Sequence, residues 1–187
     1  MWRRLILLGL LVIGGVSSGI AAQTGRDPYT YFFDDTFGDF QEELQRAREE
    51  GKQGIFIFFE MDECPFCHYM KEHVLNQPRV QAYYRQHFLN FAVDIEGDVE
   101  ITDFQGRPTT MKDFAFKQYR VRATPVLAFF DLNGKLVHRY TGRTKGVDEF
   151  LWLGEYVAEG HYRTMSFTRF KRMKRQAQRA GGADRVQ

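Results

Sequence analysis

IFIFFEMDECPFCHYMKEHVL, running from Ile55 to Leu75, is the stretch on which the reading of this 187-residue chain turns. Ile55 to Phe59 are five apolar residues without alternation, the pattern of a strand covered on both faces and therefore inside a sheet. Pro65 then falls where a helix following that strand has its first turn, a position that tolerates the missing N–H. Phe66, Met70 and Val74 continue at intervals of four, as one face of that helix. The only two cysteines of the chain, Cys64 and Cys67, stand at this junction with His68 directly behind them. A sulfur at the head of a helix faces unpaired N–H groups and the positive end of the dipole, which favours thiolate. Cys67, about one turn deeper on the same face, is placed to attack a mixed disulfide formed by Cys64. Two other chemistries share the spacing. Cys64-x-x-Cys67-His68 also fits covalent haem attachment, with His68 as axial ligand and the protein an exported electron carrier. Cys64, Cys67 and His73 supply three of the four ligands that a structural zinc site needs.

The same cysteine pair means different things in reducing and oxidising surroundings, so the N-terminus bears on the choice. Met1 to Arg4 is short and basic, Leu5 to Val16 is apolar, and Ser17 to Ala22 is mostly small. That is the three-part shape of a secretory signal, with cleavage expected after Ala21 or Ala22. The alternative is retention as an inner-membrane anchor, for which Leu5 to Ala22 is barely long enough, since a spanning helix needs about 20 residues. Residues 1–22 are thus read as a signal peptide, 23–33 as a linker, 34–160 as the folded domain and 161–187 as a tail. Residues 23–160 carry 16 Lys plus Arg against 23 Asp plus Glu, a net of −7; residues 161–187 carry 8 against 1, a net of +7. The basic residues of the body do not gather on one element with stacking aromatics, which excludes a nucleic-acid surface there. Two cysteines so close together close too short a loop to staple a fold, so the pair reads as functional.

Working outward, Asp34 and Asp35 precede Phe37, Phe40, Leu44 and Ala47, the spacing of a capped amphipathic helix ending at Gly51. Downstream of the motif, Pro78 starts a helix with Val80, Tyr84 and Phe88 inward, and Leu89 to Ile95 is a second strand. VEITDFQGR, between Gly97 and Pro108, reads as a strand and turn, and Thr110 with Asp113 as a capping box for Met111, Phe114, Ala115 and Tyr119. Val126 to Phe130 is another continuous apolar strand. Asn133-Gly134 signals a tight hairpin, Leu136 to Tyr140 an edge strand, and Gly146 to Val157 a closing helix. Helix, strand, helix, strand, helix, strand, strand, helix gives an α/β domain with a central mixed sheet flanked by helices. Ala123-Thr124-Pro125 stands just before a core strand, where proline is permitted and leaves neighbouring backbone free to pair with an incoming peptide.

Cys64-Pro65-Phe66-Cys67 after an apolar strand, Thr124-Pro125 before another, then Asn133-Gly134 and Gly142, resemble the thioredoxin fold over about residues 34–160. The acidic lead-in Asp62-Glu63, the segment Gly97–Tyr119 as an insertion before the cis-proline strand, and the signal peptide resemble periplasmic thioredoxin-related proteins of the SoxW type. More distantly, they resemble the thiol-reducing domains that serve sulfur oxidation or cytochrome c maturation. The resemblance implies Cys64 as the attacking and Cys67 as the resolving cysteine, with no cofactor beyond their disulfide. It implies a cis peptide at Pro125, with Thr124 hydrogen-bonding substrate backbone, and Pro65 and Phe66 at the substrate surface. The implied partners are periplasmic protein thiols and disulfides, with a membrane thiol transporter as electron donor. Two departures stand out: Glu63 replaces the usual Trp before the first cysteine, and Phe58 replaces the buried acid six residues before it. Glu60, Glu63 and His68 are therefore candidates for tuning and proton handling.

The direction of electron flow follows from charge. Glu60, Asp62 and Glu63 oppose the thiolate and disfavour the reduced form, which points to a reductase; a protonated His68 pushes toward a disulfide oxidase. Against haem stand the strand feeding into the motif and the stiffness of Pro65. A non-enzymatic reading uses the same groove only to hold partner chains. The tail, with Met165, Phe167, Phe170 and Met173 among basic residues, is expected to be a solvated, partly helical extension, or else a site of peripheral contact with anionic lipid.

Overall fold

The computed structural model describes residues 25–183, so the signal-like segment falls outside the described residues. In chain order the elements are α1 (Pro28–Tyr31), α2 (Phe40–Glu49), β1 (Gly54–Glu60), α3 (Pro65–Met70), α4 (Pro78–His87) and β2 (Phe88–Asp94). There follow β3 (Glu100–Thr102), β4 (Pro108–Thr110), α5 (Met111–Asp113), β5 (Val126–Phe130), β6 (Leu136–Thr141), α6 (Val147–Ala158) and α7 (Phe167–Ala183). Both α3 and α5 widen into a π turn, over Lys71–Leu75 and Phe114–Gln118. Among the described residues no helix is long and apolar enough to cross a membrane.

The main sheet has the order β2-β1-β5-β6, with β1 parallel to β2 and antiparallel to β5. The two inner strands are the two continuous apolar runs of the sequence, and both are buried along their whole length. Alternation then divides their side chains between two cores. On one face Phe56, Phe58, Leu127 and Phe129 meet Met70 and Val74, Val80 and Tyr84 of α4, and Phe150 and Leu153 of α6. On the other, Ile55, Ile57, Phe59, Ala128 and Phe130 meet Phe40 and Leu44 of α2 with Phe104 and Phe114. Each fully buried Phe contributes about 1.5–3 kcal/mol relative to exposure. Tyr84 carries a polar tip into the first core, where its ring stacks on Phe150 at 4.2 Å and its hydroxyl donates to the Phe150 carbonyl at 2.7 Å. At the start of β1, a Cβ on Gly54 would come within 2.1 Å of the Phe130 carbonyl oxygen, so the β1–β5 approach requires glycine.

The insertion between β2 and β5 is a two-stranded hairpin, β3 with β4, followed by α5, whose N-cap Thr110 accepts the Asp113 N–H at 3.2 Å. The β5–β6 turn is wider than the Asn133-Gly134 pair alone predicts. Residues 131–135 form it, the Asp131 carboxylate accepting from the N–H groups of Asn133 and Lys135 at 2.9 and 3.0 Å. Gly134 takes the left-handed conformation there, φ +72°, against the Phe104 side chain.

Four expectations need correction. The N-cap of α2 is Asp39, which accepts from the N–H of Gln41 and Glu42 at 2.9 and 3.0 Å, and Phe37 is fully exposed rather than inward. Asp34 instead closes an edge of the sheet: its N–H donates to the Asn90 carbonyl at 2.7 Å and its carboxylate accepts the Asn90 N–H at 2.8 Å. The expected linker, residues 23–33, is more than that over its described part from residue 25, because Phe32 and Phe33 are buried against Phe56, Tyr84 and Phe58. The tail is more than a solvated extension. Phe167 and Phe170 of α7 pack on Tyr156, with Lys171 and Lys174 paired to Glu149 and Glu155 of α6 at 2.6 and 2.5 Å.

Candidate active site

β1 runs out of the core at Glu60, turns through Met61-Asp62-Glu63, and enters α3 with Cys64 as N-cap and Pro65 in the first turn. The Cys64 sulfur accepts the Cys67 N–H at 3.1 Å, as a capping oxygen does elsewhere. The carbonyl of Cys64 accepts from the N–H of Cys67 and His68 at 3.0 and 3.1 Å. Cys64 and Cys67 form a disulfide of 2.05 Å with Cα atoms 5.2 Å apart. Cys67 is fully buried and Cys64 is 3 % exposed, so Cys64 is the less enclosed residue of the pair. Phe66 is 55 % exposed, at the surface where the resemblance puts it, while Met70 and Val74 further along the helix are buried.

The second half of the site comes from β5. Phe59 pairs with Val126 across β1 and β5, which sets Pro125 beside the end of β1 from which the cysteine loop departs. The Thr124–Pro125 peptide is cis. Pro125 is buried and its carbonyl is occupied by the Gly142 N–H at 2.8 Å; Thr124 is half-buried. Thr144, two residues further, donates its hydroxyl to the Met70 sulfur at 3.6 Å, so the β6–α6 loop joins the cis-proline turn to α3.

The three acids of the motif have different surroundings. Asp62 and Glu63 are exposed. Glu60, by contrast, is buried, paired with Lys71 at 2.8 Å, and accepts the Tyr29 hydroxyl at 3.0 Å. Burial works against the charge on Lys71, but the Glu60 and Tyr29 hydrogen bonds outweigh it and its pKa is raised; burial likewise raises that of Tyr29. Glu60 is therefore a compensated charge and adds little to the negative field at the sulfurs. His68 is exposed, and its Nε2 lies 3.0 Å from the Asp62 carbonyl, an acceptor, so that nitrogen carries the hydrogen. His73 is also exposed and rests on the Tyr69 ring at 4.8 Å.

Sequence reasoning missed Lys71 and Tyr29. Lys71 follows Cys67 by four and Cys64 by seven, a helical spacing that placed it on the cysteine face. Nothing in the order of residues announced Tyr29, which arrives by the packing of Phe32 and Phe33.

Residues 40–158 match the family described as a thioredoxin-like domain. No curated protein sequence matches the chain. Among solved structures, it is similar to a thioredoxin-fold protein from Helicobacter pylori, 19% identical with TM-score 0.57, covering 68% of this chain and 87% of that one. It is similar to DsbH oxidoreductase, 19% identical, TM-score 0.53, covering 76% and 95% respectively. A thioredoxin from Thermus thermophilus gives 24% identity and TM-score 0.50 over 64% of this chain and 83% of the other. These likenesses speak to the fold. The family match extends over most of the chain and encloses both the capped cystine and the cis-proline turn, and this protein accordingly belongs to the thioredoxin-like domain family, as a thiol-disulfide oxidoreductase.

Proposed function

We propose that the protein is an exported thiol-disulfide reductase, akin to periplasmic thioredoxin-related proteins of the SoxW type. It would carry electrons from a membrane thiol transporter to protein disulfides, in sulfur oxidation or cytochrome c maturation. The observation that carries this reading is the asymmetry of the cystine: one sulfur caps a helix near the surface and its partner is fully enclosed. In the reduced protein the Cys64 thiolate attacks one sulfur of a substrate disulfide, forming a mixed disulfide and expelling the other substrate sulfur as thiolate. Cys67, losing its proton, then attacks the Cys64 sulfur. The Cys64–Cys67 bond forms, the second substrate thiolate leaves, and two electrons have passed from protein to substrate. A dithiol donor restores the pair by the reverse exchange. Thr124 supplies the backbone beside which the substrate lies against Pro125, with Pro65 and Phe66 at its other side.

Direction rests on charge. The exposed carboxylates of Asp62 and Glu63 destabilise a thiolate at Cys64, and a reduced form so disfavoured gives its electrons up readily. Glu63 is the closer of the two in sequence and is assigned the larger share. Glu60 contributes by fixing the end of β1 through its buried pair with Lys71, and His68 by holding the Asp62 carbonyl. The haem reading requires both sulfurs to bond a porphyrin edge, whereas Cys67 is enclosed by side chains of the core. Equilibrating the protein with glutathione of varied redox ratio tests the proposal. A midpoint well below that of glutathione is expected, and one above it would reverse the direction proposed. Cys67→Ser is expected to retain substrates as mixed disulfides through Cys64.

A further inference from the structure

The family's exchange chemistry leaves open which substrate is recognised, and the surface beside the cis-proline turn carries features that the reaction itself does not use. Two arginines flank that turn, and each lies over an exposed aromatic ring. The Arg143 guanidinium is 4.4 Å from the centroid of Tyr69 and 5.8 Å from that of Phe66, while Arg122 is 5.5 Å from Phe116. Phe66 and Phe116 are 55 % and 50 % exposed. Arg143 follows Gly142, whose N–H holds the Pro125 carbonyl, and precedes Thr144, which is bonded to Met70 of α3. It is thereby fixed between the cis-proline and the active-site helix. Arg122 precedes Ala123-Thr124-Pro125 directly and lines a groove of about 640 Å³ in which Ile95, Phe116 and Val121 supply the apolar surface between charged side chains.

Among the described residues neither Arg122 nor Arg143 has a carboxylate partner. Of the two acids in the groove lining, Asp113 is taken by Lys117 at 2.7 Å, and Glu96 shares that lining with Lys112. A guanidinium stacked on a ring keeps its fork of donors free and already oriented, so binding a carboxylate costs it little side-chain freedom. In a domain whose net charge is negative, two such cations beside two exposed rings at one turn make a surface complementary to acid next to apolar side chain.

We propose that this rim recognises an extended, disulfide-bearing polypeptide that sets a carboxylate and an aromatic or aliphatic side chain close to its cysteine. The inference rests on the reductase reading. The apolar side chain enters the groove over Phe116, and the carboxylate is taken by Arg122 or Arg143 while the cysteine meets Cys64. The electron balance is that of the exchange above; recognition adds no further step.

The test uses short synthetic peptides with one cysteine capped by 2-mercaptoethanol as an uncharged mixed disulfide, flanked by Glu and Phe, by Lys and Phe, or by Glu and Ala. Rates of reduction by the reduced protein are followed by chromatography at low and high salt. The Glu/Phe peptide is expected to react about tenfold faster than the Lys/Phe peptide at low salt, with the ratio shrinking several-fold in about 0.5 M salt. The Glu/Ala peptide should fall behind Glu/Phe. Arg122→Ala and Arg143→Ala are each expected to lower the Glu-to-Lys ratio about threefold, and Arg122→Glu with Arg143→Glu to invert it. A ratio near one in the natural protein, a ratio unmoved by either arginine, or a preference for the Lys peptide overturns the proposal. Self-association that buries the groove, seen by sedimentation, would assign the surface to a second copy and overturn it too. Reduction of bis(2-hydroxyethyl) disulfide by the natural protein separates the two layers: its absence removes the reductase reading, while its presence with no peptide preference removes the recognition alone.

Discussion

The two faces of the sheet are both packed with phenylalanine, yet they are finished by different parts of the chain. The face with Phe59, Phe91 and Phe130 is closed by α2 and by the central insertion, through Phe104 and Phe114. The face with the cystine is closed in part by the two ends of the described chain, through Phe32 and Phe33 before the fold and Phe167 and Phe170 after it. The ends bring polar groups with them. Tyr29 reaches Glu60, Lys171 and Arg175 reach the buried Glu149, and α7 covers His138, whose Nε2 is buried without a partner. Buried acids also occur beside the first face, Glu43 on α2 and Asp103 in the insertion, so what sets the second apart is the cystine, which there shares the core with charged groups. A thiol-exchange site tolerates this because its reacting sulfur needs a wet rim and a dry floor together.

The sharpest way to break that division is to compare Cys64→Ser with Phe114→Ala. The first is expected to abolish turnover of bis(2-hydroxyethyl) disulfide. The second should lower unfolding stability by about 3–5 kcal/mol in denaturant while leaving turnover per folded molecule intact. Equal loss of turnover in both would mean the faces are not separable. Next in size is removal of residues 161–187, which uncovers the Phe167 and Phe170 sites and strips Glu149 of its cations. A loss of about 3 kcal/mol is expected in the same denaturation experiment. A change near zero would return α7 to the status of a solvated extension.

Lys71→Met sharpens the comparison further, because it leaves the Glu60 carboxylate buried without its partner. About 2 kcal/mol should be lost in the same denaturation experiment, and Glu60→Gln in the same chain should restore stability. On the other face Arg46→Met removes the partly exposed partner of the buried Glu43 and should cost about 1 kcal/mol or more.

The smallest effect is a pH slope. Burial among Phe129, Tyr156 and Phe167 lowers the pKa of His138 below 6.5, and burial also lowers that of His87. Below pH 6.5 the unfolded chain then binds more protons than the folded one, so stability falls as pH drops from 6.5 toward the lowered value. Melting temperature measured from pH 7.5 to 5.5 should decline, and His138→Phe should flatten the decline, leaving the part that belongs to His87. An unchanged slope would mean His138 is proton-accessible in the fold.

What was legible in the sequence follows the same division. Ile55–Phe59 and Val126–Phe130 announce buried strands because a strand covered on both faces has no reason to alternate, and Cys64-Pro65 announces the helix by its first turn. The cis-proline turn was legible only through resemblance, since nothing local to Thr124 specifies the isomer. Phe37 was misplaced because helical spacing identifies a face without saying where the helix starts. The ends were misread for a different reason. A charge run such as that after Tyr162 looks solvated until the acids that receive it, Glu149 and Glu155, are seen on α6, remote from the helix's far turns in sequence. Arg122 and Arg143 were invisible as a pair because they stand far apart in the chain and flank the same turn only through the pairing of Pro125 with Gly142.

Asp34 has a consequence for life among unfolded chains. β2 is a border strand of the sheet, and a bare border offers a row of donors and acceptors on which a foreign segment can template itself. By spending both its amide and its carboxylate on Asn90, Asp34 plugs that row partway along. The border strand is thereby guarded against being extended by a foreign segment into an aggregate.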